Sequence, residues 1–261
     1  MKKGLRVRVN LFERLLNFFD DYDFIHFGSE TCENLVFCYA RYIKKLIKLK
    51  KKVILSIPPL SQKTFEYLTF LLRGIKKDLL PDYFIFSLND FGTLSLIKKI
   101  FGKDFEISIG RHFTKYFFSL GKNIFEFNSI YSLDLINKCG VKYFEISSFD
   151  KFPNNNNLYV LKNRGIRFEF ILHHPFSLLS TSRNCTVGFH DISQQDTPKG
   201  IECDNSCIYG DYKIYVKKFN IDLFLCENSV YKKMNDTLFI KPQLLSKIYV
   251  KAVVNDFLGG I

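Results

Sequence analysis

Short apolar runs alternate along this chain with stretches whose apolar residues recur every three or four positions. Residues 5–9, 24–27, 53–57, 83–87, 105–109, 143–146 and 167–172 read as strands, rich in β-branched and aromatic side chains. Residues 11–19, 35–49, 62–76, 91–101, 129–138 and 158–163 carry helical spacing. The punctuation agrees with this division. Asn10 is placed to cap the first helix, Pro58-Pro59 stops the third strand, and Gly28, Gly102, Gly110 and Gly140 close elements.

Short, apolar strands separated by helices are the pattern of a parallel sheet buried under helices. Seven strands before residue 175, in a chain of 261 residues, favour a (β/α) barrel of TIM type over an open doubly wound sheet. The last third is less regular, with strands expected at 213–217, 223–225, 237–240 and 248–254. No boundary or further repeat interrupts the chain, so residues 1–261 are expected to form one barrel domain. No Gly-rich phosphate loop follows the first strand, which argues against a Rossmann cofactor site.

Composition narrows the class. Hydrophobic residues make up 47% and charged residues 25%, which excludes disordered, collagen-like and coiled-coil chains. No apolar run approaches the roughly 18 residues of a membrane span, and the basic start lacks the apolar stretch of a signal peptide, so a cytoplasmic protein is expected. The net charge of +12 would suit a nucleic acid. Lys, Asn, Ile, Phe and Tyr are abundant together, however, as they are in any protein of an A+T-rich genome. The densest basic stretch, between Lys44 and Lys52, also falls at a helix end, where cations suit the dipole, so a nucleic-acid partner is not expected. The Asn154-Asn155-Asn156-Asn157 run reads as a surface loop.

In a parallel barrel the reactive groups gather in the loops after the strands' C-terminal ends. The loop after the second strand carries Glu30 and Cys32. A long excursion after the seventh strand, residues 173–212, carries His173, His174, Cys185, His190, Cys203 and Cys207. Cys32, Cys185, Cys203 and Cys207 would therefore open on one barrel face. Seven cysteines in a cytosolic chain suggest metal ligation or buried thiols rather than disulfides. Sites of four cysteines bind zinc or an iron–sulfur cluster. One Cys-x-x-x-Cys pair with two distant single cysteines suits a cluster better than zinc, which usually takes two close pairs; unrelated thiols are the third reading. Cys38, Cys139 and Cys226 read as buried thiols.

Of the histidines, His26 lies mid-strand as a core residue, His112 follows the fifth strand as a substrate-contact candidate, and His190 faces solvent. His173 and His174 adjoin the proposed ligands. Glu30 and Glu145 stand out as acids at or within barrel strands. There is no Ser-His-Asp order, His-Glu-x-x-His or Cys-x-x-Cys.

These residues resemble the peptidase U32 (collagenase-like) family. The likeness rests on Phe24-Ile25-His26-Phe27-Gly28-Ser29-Glu30-Thr31-Cys32, on Pro175 to Cys185 and on Pro198-Lys199-Gly200-Ile201-Glu202-Cys203-Asp204-Asn205-Ser206-Cys207, and is weaker between residues 60 and 140. It implies a TIM barrel with a 4Fe-4S cluster on Cys32, Cys185, Cys203 and Cys207. It also implies a subunit that pairs with a UbiU-like sister protein in oxygen-independent hydroxylation of the aromatic ring during ubiquinone biosynthesis. Prephenate as oxygen donor and a UbiT-like lipid-binding protein complete the implied partners. Relatives that hydroxylate RNA bases, and a non-catalytic iron–sulfur subunit, are the alternatives; protease activity is not expected. Two departures stand against the family pattern. The gap between Cys185 and Cys203 is longer, and the chain stops at Gly259-Gly260-Ile261. The early stop leaves open a barrel incomplete at its C-terminus, with an edge for a partner to cover.

Overall fold

The computed structural model describes residues 2–75, 84–102, 105–120, 125–127, 130–147, 163, 168–174, 176–181, 213–216, 221–226, 229–233 and 250–256. Eight parallel strands close a barrel: β1 (Lys2–Val7), β2 (Phe24–Gly28), β3 (Lys52–Ile57), β4 (Phe84–Leu88), β5 (Ile107–Ile109), β8 (Val141–Ser147), β9 (Glu169–His174) and β14 (Val250–Asp256). Two short strands, β6 (Phe118–Leu120) and β7 (Phe125–Phe127), form an antiparallel pair between β5 and β8 in the chain. Four more, β10 (Phe176–Thr181), β11 (Lys213–Val216), β12 (Ile221–Cys226) and β13 (Ser229–Lys233), form an antiparallel sheet in the order β10-β13-β12-β11. The helices are α1 (Phe12–Leu15), α2 (Tyr39–Lys48), α3 (Gln62–Gly74), α4 (Phe91–Phe101), α5 (Arg111–Phe117) and α6 (Ile130–Lys138). No described helix is long and apolar enough to cross a membrane.

The barrel is closed, which corrects the expectation of an incomplete one. β14 pairs in parallel with β1 on one side and with β9 on the other, so neither is left as an edge. The strand expected at 248–254 is this closing strand. The expected helix over 11–19 is instead a short α1 flanked by 3-10 turns, and Asn10 lies inside the first of these rather than capping it. The helix expected over 35–49 begins as a 3-10 turn, Glu33–Cys38, before α2. The strand expected at 237–240 and the Asn154-Asn155-Asn156-Asn157 loop lie outside the described residues, as does the helix expected at 158–163 apart from Asn163.

Alternation along each strand separates two cores. Ile25 and Phe27 face outward and join the large core between strands and helices. Against it α2 turns Tyr39, Tyr42, Ile43 and Leu46, spaced as one helical face. Phe24, Ile54, Ile85, Tyr143, Ile171, Ala252 and Val254 form a second, smaller core. Phe24, two residues before His26 on β2, shows that this core fills the barrel interior towards the strands' N-terminal ends. α4 is framed by its own residues: the Asp90 side chain accepts from the Thr93 amide at 2.7 Å, and Gly102 ends the helix at φ 77°.

Candidate functional site

Towards the C-terminal ends of the strands the barrel interior becomes polar. Arg6 on β1, His26 on β2, Ser56 on β3, Ser87 on β4, Ser108 on β5, Glu145 on β8, His173 on β9 and Asp256 on β14 are all buried. The register sets Ser56, Ser87 and Ser108 side by side across three strands. Two residues beyond the strands complete the layer: Glu30, in the turn after β2, and Arg111, which opens α5 after β5.

Arg111 is the hub on one side. Its Nε and Nη2 donate to the Glu30 carboxylate at 2.8–3.2 Å, and its Nη1 donates to Asp256 Oδ2 and to the Phe176 carbonyl, both at 2.8 Å. Arg6 Nη1 donates to Glu30 Oε2 at 3.1 Å. Glu145 is the hub on the other side. Its Oε2 lies 3.0 Å from His26 Nε2 and 2.9 Å from His173 Nε2, while Ser108 Oγ donates to its Oε1 at 2.8 Å. His173 Nδ1 meets Asp256 Oδ1 at 2.8 Å and so joins the two halves.

The electrostatics follow from these contacts. Burial by itself would push the Glu30 carboxyl up, but the Arg111 and Arg6 guanidiniums and His173 bring it down to about 2. Burial likewise opposes ionisation of Glu145, and His26 and His173 overcome it, holding that carboxyl well below its usual range. Asp256 is also lowered: burial works against its charge, and Arg111 and His173 outweigh it. Burial and the Arg111 charge work against protonation of His173, yet Asp256 and Glu145 raise its pKa. Geometry requires the same result. An ionised carboxylate only accepts, so an imidazole with a carboxylate oxygen at each nitrogen must donate from both. Arg6, Arg111 and His173 thus set positive charge against the carboxylates of Glu30, Glu145 and Asp256 in this layer.

Beside this layer a cavity of about 630 Å³ opens at the rim, lined among others by Asn89, Phe91, His112, Phe113, Lys115 and Tyr116. Asn89 Nδ2 donates to the Ile57 carbonyl at 2.9 Å, and its buried Oδ1 finds no partner among the described residues. His112 Nδ1 contacts Thr181 Oγ1 at 3.1 Å. Burial and the neighbouring Lys115 charge lower the His112 pKa.

Cys32 sits at the start of the 3-10 turn after β2, buried, with its amide donating to Ser29 Oγ at 2.8 Å. The turn is anchored by Tyr39: its hydroxyl accepts from the Ser29 amide at 3.0 Å and donates to the Ser56 carbonyl at 2.6 Å. Cys185, Cys203, Cys207 and His190 lie outside the described residues. Cys38 is buried, as expected, whereas Cys139 is only half-buried; the Cys226 side chain lies outside what is described.

Strand-end reading therefore identifies Glu30, Glu145 and His173 in the polar layer and His112 at the cavity. His26 is buried as a core histidine should be, but it points into the barrel at Glu145. Sequence reasoning misses Arg6, Ser108, Arg111 and Asp256. A signal existed for three of them: Arg6 and Ser108 are polar residues inside apolar parallel strands, and Arg111 follows Gly110 at a strand end. No protein-family model matches the chain, and no curated protein matches it.

Proposed function

We propose that the chain is an iron–sulfur protein of the peptidase U32 family, similar to UbiV, carrying a 4Fe-4S cluster on Cys32, Cys185, Cys203 and Cys207. In this reading it acts with a UbiU-like sister subunit in the oxygen-independent hydroxylation of an aromatic ring in ubiquinone biosynthesis, with a UbiT-like lipid-binding protein as a further partner. The observation that carries the reading is the position of Cys32. It follows β2 at the same end of the barrel from which β9 sends the chain into the cysteine-bearing excursion. Parallel strands discharge their loops on one face, so a common centre for the four thiolates is topologically open.

The neighbouring surface supports the substrate class. Phe91, Phe113 and Tyr116 give the rim cavity ring-sized apolar walls, and Lys115 adds a positive charge for an acid such as prephenate as oxygen donor. A bound cluster would supply single electrons. This chain's own residues would hold the acid, screen it from water and fix its ring.

Protein purified without oxygen should contain about four irons per chain with broad thiolate-to-iron absorbance. Cys203→Ala should lose that iron and Cys139→Ala should keep it. One zinc per chain instead would end the proposal. The +12 charge favours a second reading, an RNA base hydroxylase of the same family. Tight RNA binding that weakens steeply with salt would mark it. Loss of quinone synthesis only in anaerobic growth would mark the first.

A further inference from the structure

We propose a second metal site, inside the barrel and separate from the cysteines: a single divalent first-row transition-metal ion held by His26 Nε2, His173 Nε2 and Glu145. The candidate ligand atoms of these residues and of Glu30 all lie within 4.8 Å of one another, and all four residues are buried. Glu145 Oε2 stands 3.0 Å from one Nε2 and 2.9 Å from the other. Two ligand atoms at right angles on an ion with bonds of about 2.1 Å stand about 3 Å apart. Both oxygen–nitrogen pairs already have that spacing, so small movements would let the three atoms share one ion in place of protons.

The outer contacts are those a metal site requires. Asp256 holds His173 Nδ1 at 2.8 Å, which leaves Nε2 as the coordinating nitrogen. Ser108 occupies Glu145 Oε1 at 2.8 Å, which leaves Oε2 as the coordinating oxygen. His26 Nδ1 has no partner among the described residues and would carry that ring's proton. Glu30 is clamped by Arg111 through both oxygens, so it borders the site rather than binding the ion. With both histidines neutral, three carboxylates face two guanidiniums, and the remaining negative charge favours a cation. The ligands stand on three separate barrel strands, β2, β8 and β9, which fixes their geometry. Two imidazoles and one carboxylate, with no thiolate and with open positions left, suit iron(II), manganese(II) or zinc(II).

The test uses the full chain with Cys203→Ala, so that iron at the cysteines is not counted, and cobalt(II) as probe. One cobalt per folded chain is expected, with weak d–d absorbance, no intense thiolate-to-cobalt band, and an unfolding midpoint that rises with cobalt concentration. Adding His173→Gln, or the isosteric Glu145→Gln, should weaken uptake at least tenfold while circular dichroism shows the fold retained. No uptake, a thiolate band, or uptake unchanged by both substitutions would overturn the site. Should both substitutions unfold the chain, the cobalt-dependent midpoint of Cys203→Ala, read with its band, decides. Iron in the unsubstituted protein reports on the cluster alone, so the two proposals fail separately.

Discussion

At the scale of single residues, the two mouths of the barrel handle charge differently. In the polar layer at the C-terminal end the ions are buried and matched: removing Arg111 would leave Glu30 and Asp256 short of a cation in a buried interior, a loss of the kind that costs about 3–5 kcal/mol. At the opposite mouth Glu106 is partly open to solvent. Lys142 donates to it at 2.7 Å, Tyr143 at 2.9 Å and Lys52 at 3.3 Å. Burial pushes the Glu106 carboxyl up, but the bonds from Lys142 and Tyr143 and the Lys52 charge leave it below its ordinary 4.5. A lowered carboxyl stabilises the fold above its unfolded value and loses that contribution as pH falls through the folded one. Glu106→Gln should therefore cost at most about 1 kcal/mol at pH 7. Urea unfolding as a function of pH should show the gap to the unsubstituted protein closing below 4.5. A gap that persists in acid would assign the loss to shape rather than charge.

At the scale of elements, the turn after β2 carries both Glu30 and Cys32, and its path depends on Gly28. This residue adopts φ +110°, and a Cβ there would stand 2.6 Å from the Tyr39 hydroxyl and 2.7 Å from the Ser56 carbonyl. Gly102 also has a positive φ, +77°, but a Cβ there would meet nothing within 4 Å. Gly28→Ala should thus cost roughly 1–3 kcal/mol in backbone strain and displace the Tyr39 bridge as well, whereas Gly102→Ala should cost only the strain. Equal losses in thermal unfolding would mean that the turn relaxes freely. The elements themselves were largely legible. Strands buried on both faces tend to apolar runs, and most of the barrel strands announce themselves in that way, although β1 and β14 carry charged residues within them. What escaped depends on contacts distant in the chain. β6 and β7 are three residues each, too short for alternation to register, and α5 follows β5 after Gly110 alone. Glu30 and Glu145 stood out because acids are rare at such positions. Asp256 did not, since its meaning comes from Arg111 and His173, 145 and 83 residues away in sequence.

At the scale of the whole molecule, closure and chemistry are the same event. β14 is the strand that joins the last part of the chain to the first, through Lys2↔Ala252 to Arg6↔Asp256, and its final residue delivers Asp256 to the polar layer. Removing residues 250–261 would expose one edge of β1 and one of β9, and would leave Arg111 and His173 without a shared carboxylate. Asp256→Asn removes only the second of these, since it keeps every backbone bond of the strand. The truncated chain should unfold without a sharp cooperative transition and associate through its open edges. Asp256→Asn should keep the elution volume and cooperativity of the unsubstituted protein with a lower urea midpoint. Size-exclusion chromatography with urea titration separates the two. A truncated chain that stays monomeric with an unchanged midpoint would mean that the barrel does not depend on its closing strand, and the polar interior would then need another account of what holds it shut.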